Sequence, residues 1–159
     1  MRLVFSFFYH SIDLEETARL ANCLANILSA GDTLLLCGDL GAGKTALTKL
    51  LLHNISKADV VSPTFTLMHT YQADFLVHHL DLYRLDREEE VWELGWQELF
   101  DGSALTIVEW ADKFPELFPE NYLMIKLSIF PESGERLIEI SASGVRGSSV
   151  LQEVKQCLS

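Results

Sequence analysis

A glycine-rich turn between an apolar run and a helix-forming segment constrains this chain more than any other feature. The stretch from Leu34 to Leu47 reads LLLCGDLGAGKTAL. Within it, Gly38 to Thr45 matches the phosphate-binding loop pattern, in which two spaced glycines precede a lysine and a threonine or serine. Glycines let the backbone curl so that successive N–H groups point at phosphate oxygens. A helix that begins there adds unpaired N–H groups. The sequence therefore predicts binding of a nucleoside triphosphate.

The residue types within this turn predict distinct contacts with the nucleotide. Lys44 is expected to reach the β- and γ-phosphates, and the hydroxyl of Thr45 is expected to coordinate Mg²⁺. We expect the nucleotide to contact one continuous run of residues, namely Asp39, Leu40, Gly41, Ala42, Gly43, Lys44, Thr45 and Ala46. The turn thus predicts an ATP site with a magnesium ion.

Hydrophobic patterning predicts a P-loop NTPase-like α/β fold in a single domain over residues 1–159. The 159 residues are 48% hydrophobic, enough to bury a substantial core. The continuous apolar run 33–37 is typical of a parallel strand covered on both faces, so we expect a central, mostly parallel sheet flanked by helices. Runs 123–130 and 136–141 flank a Gly-containing turn and predict an added antiparallel C-terminal hairpin. A last helix is expected over 148–158.

Charge and cysteine content narrow the function classes. The formal net charge is −11, which opposes the counterion release that favours nucleic-acid binding, so any RNA is expected to be held by a partner protein. Cys23, Cys37 and Cys157 form no CxxC pair, which is typical of buried thiols in a reducing compartment. The apolar start lacks a cleavage site, and no run is long enough to span a membrane. We expect a cytoplasmic protein without a membrane partner.

Two apolar strands end in carboxylates that could complete the site. Asp81 ends the run 75–81, and Glu109 ends the run 105–109. Mg²⁺ beside a triphosphate needs acidic support from a strand next to the phosphate-binding loop. Either carboxylate could hold the ion, and one could position the attacking water instead.

Three further side chains are weaker candidates. Thr64, after Pro63, could respond to the γ-phosphate as part of a switch-like loop. His78 and His79 are adjacent, but neighbouring residues of a strand point to opposite faces and cannot easily share one metal ion.

Four motifs in chain order together carry a resemblance to a known family: the loop 38–45, Ser-Pro-Thr-Phe-Thr-Leu at 62–67, His-Leu-Asp-Leu-Tyr-Arg-Leu at 79–85, and Val-Glu-Trp at 108–110. They cover nearly the whole chain, and the last two make the resemblance specific. By these motifs the chain resembles the TsaE (YjeE) family, small bacterial ATPases of tRNA threonylcarbamoyladenosine biosynthesis.

The resemblance implies an ATP-binding subunit that acts with the partner proteins TsaD and TsaB. These attach threonylcarbamoyl to N6 of adenosine 37 in tRNAs that read codons beginning with A. By motif position, Lys44 and Thr45 become phosphate and Mg²⁺ ligands. Thr64 becomes a switch residue, Asp81 a catalytic candidate and Glu109 a Mg²⁺-site residue. Two departures are mild: Ala46 stands where a second threonine is common, and Phe65 stands where tyrosine is common.

Three other function classes share the loop and stay open at this stage. A small P-loop kinase for a metabolite needs arginines near the transferred phosphoryl group, and the few arginines after the loop form no clustered lid. A GTP-dependent switch would carry an Asn-Lys-x-Asp element, which is absent from the sequence. A nucleotide-gated binding module that does not hydrolyse ATP is the remaining alternative.

Overall fold

A seven-stranded sheet joins segments from both halves of the chain. The computed structural model describes residues 5–11, 13–56 and 67–159. The strands are β1 (Phe5–Ser11), β2 (Thr33–Gly38), β3 (Met68–Gln72), β4 (Leu76–Asp81), β5 (Ala104–Glu109), β6 (Tyr122–Ile129) and β7 (Arg136–Ser143). The α-helices are α1 (Leu14–Ile27), α2 (Lys44–Ser56), α3 (Glu88–Trp92) and α4 (Gly144–Leu158). The predicted mixed α/β class is therefore confirmed.

The sheet is parallel at its centre and antiparallel toward its edges, in the order β1-β7-β6-β2-β5-β4-β3. Strand β2 pairs in parallel with β5 and β6, and β4 pairs in parallel with β5. The pairs β6–β7, β1–β7 and β3–β4 are antiparallel. The carboxyl ends of β2, β4 and β5 therefore meet at one edge, where open α/β sheets bind ligands.

Apolar side chains of β2 pack into cores on both faces of the sheet, as its continuous apolar run predicts. Leu34 and Leu36 belong to the core that includes residues of α1, α2 and α4. Leu35 and Cys37 belong to a second core with Val91 of α3 and residues of the short 3₁₀ helices. Strand β2 is therefore buried on both faces of the sheet, and the glycine turn follows directly from its carboxyl end.

Local signals mark several helix ends. The Asp13 side chain accepts a hydrogen bond from the Glu16 N–H at 3.0 Å and caps α1. Gly95 adopts a φ of 75° and separates the short α3 from a 3₁₀ helix. Helix α4 begins at Gly144, before the expected start at 148.

No helix in the described parts of the chain is long and apolar enough to cross a membrane.

The cysteine prediction is wrong for two of the three thiols. Cys23 of α1 and Cys157 of α4 form a disulfide across 134 residues of sequence. Spacing could not reveal this bond, since packing of α1 against α4 brings the two residues together. Cys37 is free and buried, and burial raises the pKa of its thiol to about 11. Only the Cys23–Cys157 pair therefore responds to a reductant.

We expect Cys157→Ser to lower the free energy of unfolding by about 2–4 kcal/mol, because the disulfide restricts the unfolded chain over a long loop. Urea unfolding of the oxidised proteins measures the difference. As a control, reductant should bring the wild type to the stability of the variant and leave the variant unchanged. Equal stability of the two oxidised proteins would contradict the prediction.

Candidate nucleotide-binding site

The glycine turn leaves β2 and enters α2 in a conformation that needs its glycines. Gly41 and Gly43 have φ values of 81° and 110°, a region that is costly for residues with a Cβ. A Cβ on Gly43 would also lie 2.9 Å from Nε of Arg136. Helix α2 begins at Lys44, so its unpaired N–H groups face the turn. This arrangement can bind an anion.

Lys44 lies folded back over the turn. Its Nζ donates to the carbonyl oxygens of Gly38 at 2.5 Å and Asp39 at 2.9 Å. The same atom lies 4.0 Å from the centre of the Trp110 ring, within the range of a cation–π contact. Burial lowers the pKa of Lys44, while carboxylates led by Glu109 oppose that change. The ammonium group is thus already held beside the turn.

Thr45 and Glu109 meet directly. Thr45 Oγ1, in the first turn of α2, donates to Oε1 of Glu109 at 2.9 Å. Glu109 ends β5 and is 1% exposed. Its second oxygen, Oε2, lies 2.6 Å from Nε2 of His79. A hydroxyl and a carboxylate, both suitable ligands for Mg²⁺, therefore lie together.

Asp81 lies beside this pair at the end of β4. It is the register partner of Glu109 on the neighbouring parallel strand. Its Oδ1 accepts the backbone N–H of Tyr83 at 2.9 Å. Burial raises the pKa of Asp81, the nearby charge of Glu109 acts in the same direction, and the Tyr83 N–H opposes them. A carboxylate with a raised pKa accepts a proton more readily, as a base beside the phosphates would have to do.

An aromatic pair borders Lys44. Trp110 has a φ of 60°, which is unusual for a large side chain and marks local strain. Its ring centre lies 4.8 Å from that of Tyr83. The adjacent residues Glu109 and Trp110 thus have different roles in the site: the carboxylate of Glu109 is buried, and the indole ring of Trp110 lies against the amino group of Lys44.

Arg136 is a contact that sequence reasoning missed. Its Nε donates to the carbonyl oxygen of Ala42 at 2.8 Å, although 94 residues separate the two. No local pattern marks an arginine at the start of β7 as a neighbour of the turn. The alternation of His79 with Asp81 along β4 is a sequence signal that places both side chains on one face of the sheet, the face on which Glu109 lies.

The predicted site residues divide into three groups. Lys44, Thr45, Asp81 and Glu109 lie together at the carboxyl edge of the sheet. The remaining residues of the run form the turn and the first turn of α2: Asp39, Leu40 and Gly41 are exposed, with Leu40 at 75%, whereas Ala42, Gly43 and Ala46 are buried or half-buried. Thr64 lies outside the described residues.

The structure gives less support for a metal site built from protein side chains alone. In the described ranges, no group of three or more His, Cys, Asp or Glu side chains could hold a metal ion. His78 contacts Thr70 Oγ1 at 3.0 Å, whereas His79 contacts Glu109. The two histidines therefore have different partners, as predicted. Mg²⁺ needs only one or two protein ligands when substrate phosphates supply the others.

Comparison with known proteins decides the family. The family model for the threonylcarbamoyl adenosine biosynthesis protein TsaE matches residues 11–138, which include the glycine turn and both carboxylates. The chain belongs to the TsaE family. Its role therefore lies in the biosynthesis of threonylcarbamoyladenosine in tRNA.

Individual TsaE relatives cover most of the chain. The protein named tRNA threonylcarbamoyladenosine biosynthesis protein TsaE from Rickettsia felis is 36% identical over 139 residues, which are 86% of this chain and 80% of the relative. The Bacillus subtilis protein of the same name is 35% identical over 150 residues, which are 93% of each chain. A crystal structure of Bacillus subtilis YdiB superposes with a TM-score of 0.82 at 30% identity and covers 98% of both chains.

Proposed function

We propose that this chain is the ATP-binding and ATP-hydrolysing subunit for threonylcarbamoyl modification of N6 of adenosine 37 in tRNAs that read ANN codons. It works as a Mg²⁺-dependent ATPase with a single P-loop domain over residues 1–159, in the cytoplasm. The observation that supports this most is the hydrogen bond of 2.9 Å from Thr45 to Glu109, directly beside the glycine turn. Membership of the TsaE family supplies the tRNA modification.

The turn binds the phosphates of ATP through backbone N–H groups of residues 39–46 and through Lys44. The amino group of Lys44 needs only to exchange its two carbonyl acceptors, Gly38 and Asp39, for β- and γ-phosphate oxygens. Such hydrogen bonds to a charged group are stronger than those to a neutral one. Arg136 holds the carbonyl of Ala42 and keeps the turn in its curled shape.

Thr45 and Glu109 suit a magnesium ion by the chemistry of their oxygens. Thr45 offers a hydroxyl, and Glu109 offers a buried carboxylate. Bound Mg²⁺ would offset the negative charge of the phosphates. Asp81 orients the attacking water and accepts its proton, and Thr64 responds to the γ-phosphate as a switch residue.

The partners of the chain are TsaD and TsaB, and tRNA is reached only through them. The net charge of −11 disfavours direct binding of a phosphate backbone. The ATPase does not transfer the threonylcarbamoyl group and instead drives or resets the partner complex.

Removal of either carboxylate tests this function. We expect Asp81→Asn, which removes the proposed base, to lower ATP hydrolysis in the assembled complex by roughly 100-fold. Glu109→Gln, which removes the proposed Mg²⁺ carboxylate, is expected to lower it by a similar factor, roughly 100-fold. ATP affinity is expected to change much less, because Lys44 and the turn remain. Phosphate release measures hydrolysis, and calorimetry measures binding.

Glu153→Gln is the matched control, because this carboxylate lies half-exposed on α4 and its removal is expected to leave both measurements unchanged. Full ATPase activity in both carboxylate variants would place the catalytic groups elsewhere.

A further inference from the structure

His79 is a fully buried histidine with one polar contact that stands out. Its side chain is 0% exposed, and its Nε2 lies 2.6 Å from Oε2 of Glu109. A carboxylate oxygen accepts hydrogen bonds, and a distance this short indicates a strong one. The N–H at Nε2 therefore donates to Glu109.

The two oxygens of Glu109 are held by different elements. Thr45 of α2 holds Oε1, and His79 of β4 holds Oε2. The Thr45 hydroxyl has one O–H donor and two lone pairs, so a lone pair can face a metal ion while the O–H still donates to Oε1. The contact from His79 does not depend on Thr45, because it comes from a neighbouring strand of the sheet. The His79 contact can therefore hold the carboxylate of Glu109 both before and after a metal ion binds.

Among the described residues, the other ring nitrogen has no contact that would give a second reason for a histidine at this position. Nδ1 of His79 is buried and meets no hydrogen-bond partner within 5–11, 13–56 and 67–159. An unsatisfied buried polar atom costs about 1–3 kcal/mol. An apolar side chain of similar size would avoid this cost, so the contact with Glu109 is what the imidazole adds at this position.

We propose that His79 is a positioning residue that fixes the carboxylate of Glu109 for Mg²⁺. This inference rests on the proposed function, since it assumes that Glu109 serves the metal. His79 itself contacts neither nucleotide nor metal. Hydrogen-bond partners of this kind typically change metal affinity by 10–100-fold when they are removed.

Calorimetric titration of Mg²⁺ into the ADP-bound protein tests the proposal without reference to activity. We expect His79→Leu to weaken Mg²⁺ binding by roughly tenfold or more, while the affinity for ADP without Mg²⁺ stays like that of the wild type. His79→Gln retains an N–H donor near the position of Nε2 and is expected to restore most of the Mg²⁺ affinity. If His79→Leu does not fold, His79→Asn, whose amide is too short to reach Glu109, is expected to show the same loss.

His78→Leu is the matched control, because His78 lies next in sequence and contacts Thr70 on the opposite face of β4. It is expected to bind Mg²⁺ like the wild type. Mg²⁺ affinity equal to that of the wild type in His79→Leu or His79→Asn would overturn the positioning role. An equal loss of ADP affinity without Mg²⁺ would also overturn it. If the wild type binds no nucleotide, the proposed function itself fails, and this outcome is distinct from the other two.

Discussion

ATP binding by Lys44→Ala is expected to be at least roughly 100-fold weaker than by the wild type. Hydrogen bonds to charged groups contribute about 1.5–3 kcal/mol each, and Lys44 is expected to contact two phosphates. Loss of about 3 kcal/mol corresponds to roughly 100-fold in the dissociation constant. Isothermal titration calorimetry measures the difference directly.

Two further variants distinguish the loss of the Lys44 charge from the loss of a lysine elsewhere on α2 and from the loss of the Mg²⁺ ligand. Lys49→Ala removes an exposed lysine from the same helix and is expected to bind ATP like the wild type. Thr45→Ala is expected to weaken binding mainly when Mg²⁺ is present, because its hydroxyl serves the ion. Unchanged ATP affinity in a folded Lys44→Ala protein would show that the glycine turn is not the phosphate site.

Addition of TsaD and TsaB is expected to raise ATP hydrolysis by roughly 10³-fold or more, the lower end of the effect of an arginine supplied by a partner. The chain places Lys44 at the turn, but Arg136 binds the carbonyl of Ala42 and Arg146 pairs with Asp32. These two guanidinium groups are already engaged by the protein itself. A partner that supplies a cation or orders the switch segment would complete the site.

Steady-state phosphate release is measured for the isolated chain and again with the TsaD–TsaB pair. Lys44→Ala with the same pair is the control, because it reports any hydrolysis by the partners. Equal rates with and without the pair would contradict the prediction. Strong tRNA binding by the isolated chain at physiological salt would contradict the indirect role proposed for tRNA.

The acidic segment 86–101 is a candidate contact surface for a partner protein. Glu88 and Glu89 of α3 are exposed, and the side chain of Asp86 is 88% exposed. Exposure alone is also typical of a solvated helix face, so the segment stays a prediction. The stimulation experiment repeated with Glu88→Lys and Glu89→Lys would test it.

The sequence by itself determined the features that depend on neighbours in the chain. The curled turn before α2 follows from glycines at positions where φ is positive, such as Gly41 and Gly43. The cap on α1 follows from Asp13 and the N–H of Glu16. Backbone conformation and helix capping are local, so a short stretch of residues is enough to predict them. Strand ends at Asp81 and Glu109 were predictable for the same reason.

Only the tertiary structure decided which distant residues meet. The order of strands puts β4 beside β5 and brings His79 against Glu109. The strand order also puts Arg136 against the turn, and packing of α1 against α4 brings Cys23 and Cys157 together. These contacts result from the packing of strands and helices far apart in sequence. Hydrophobic periodicity reports which face of an element is buried but not which element covers that face, and this is why the sequence alone left these contacts open.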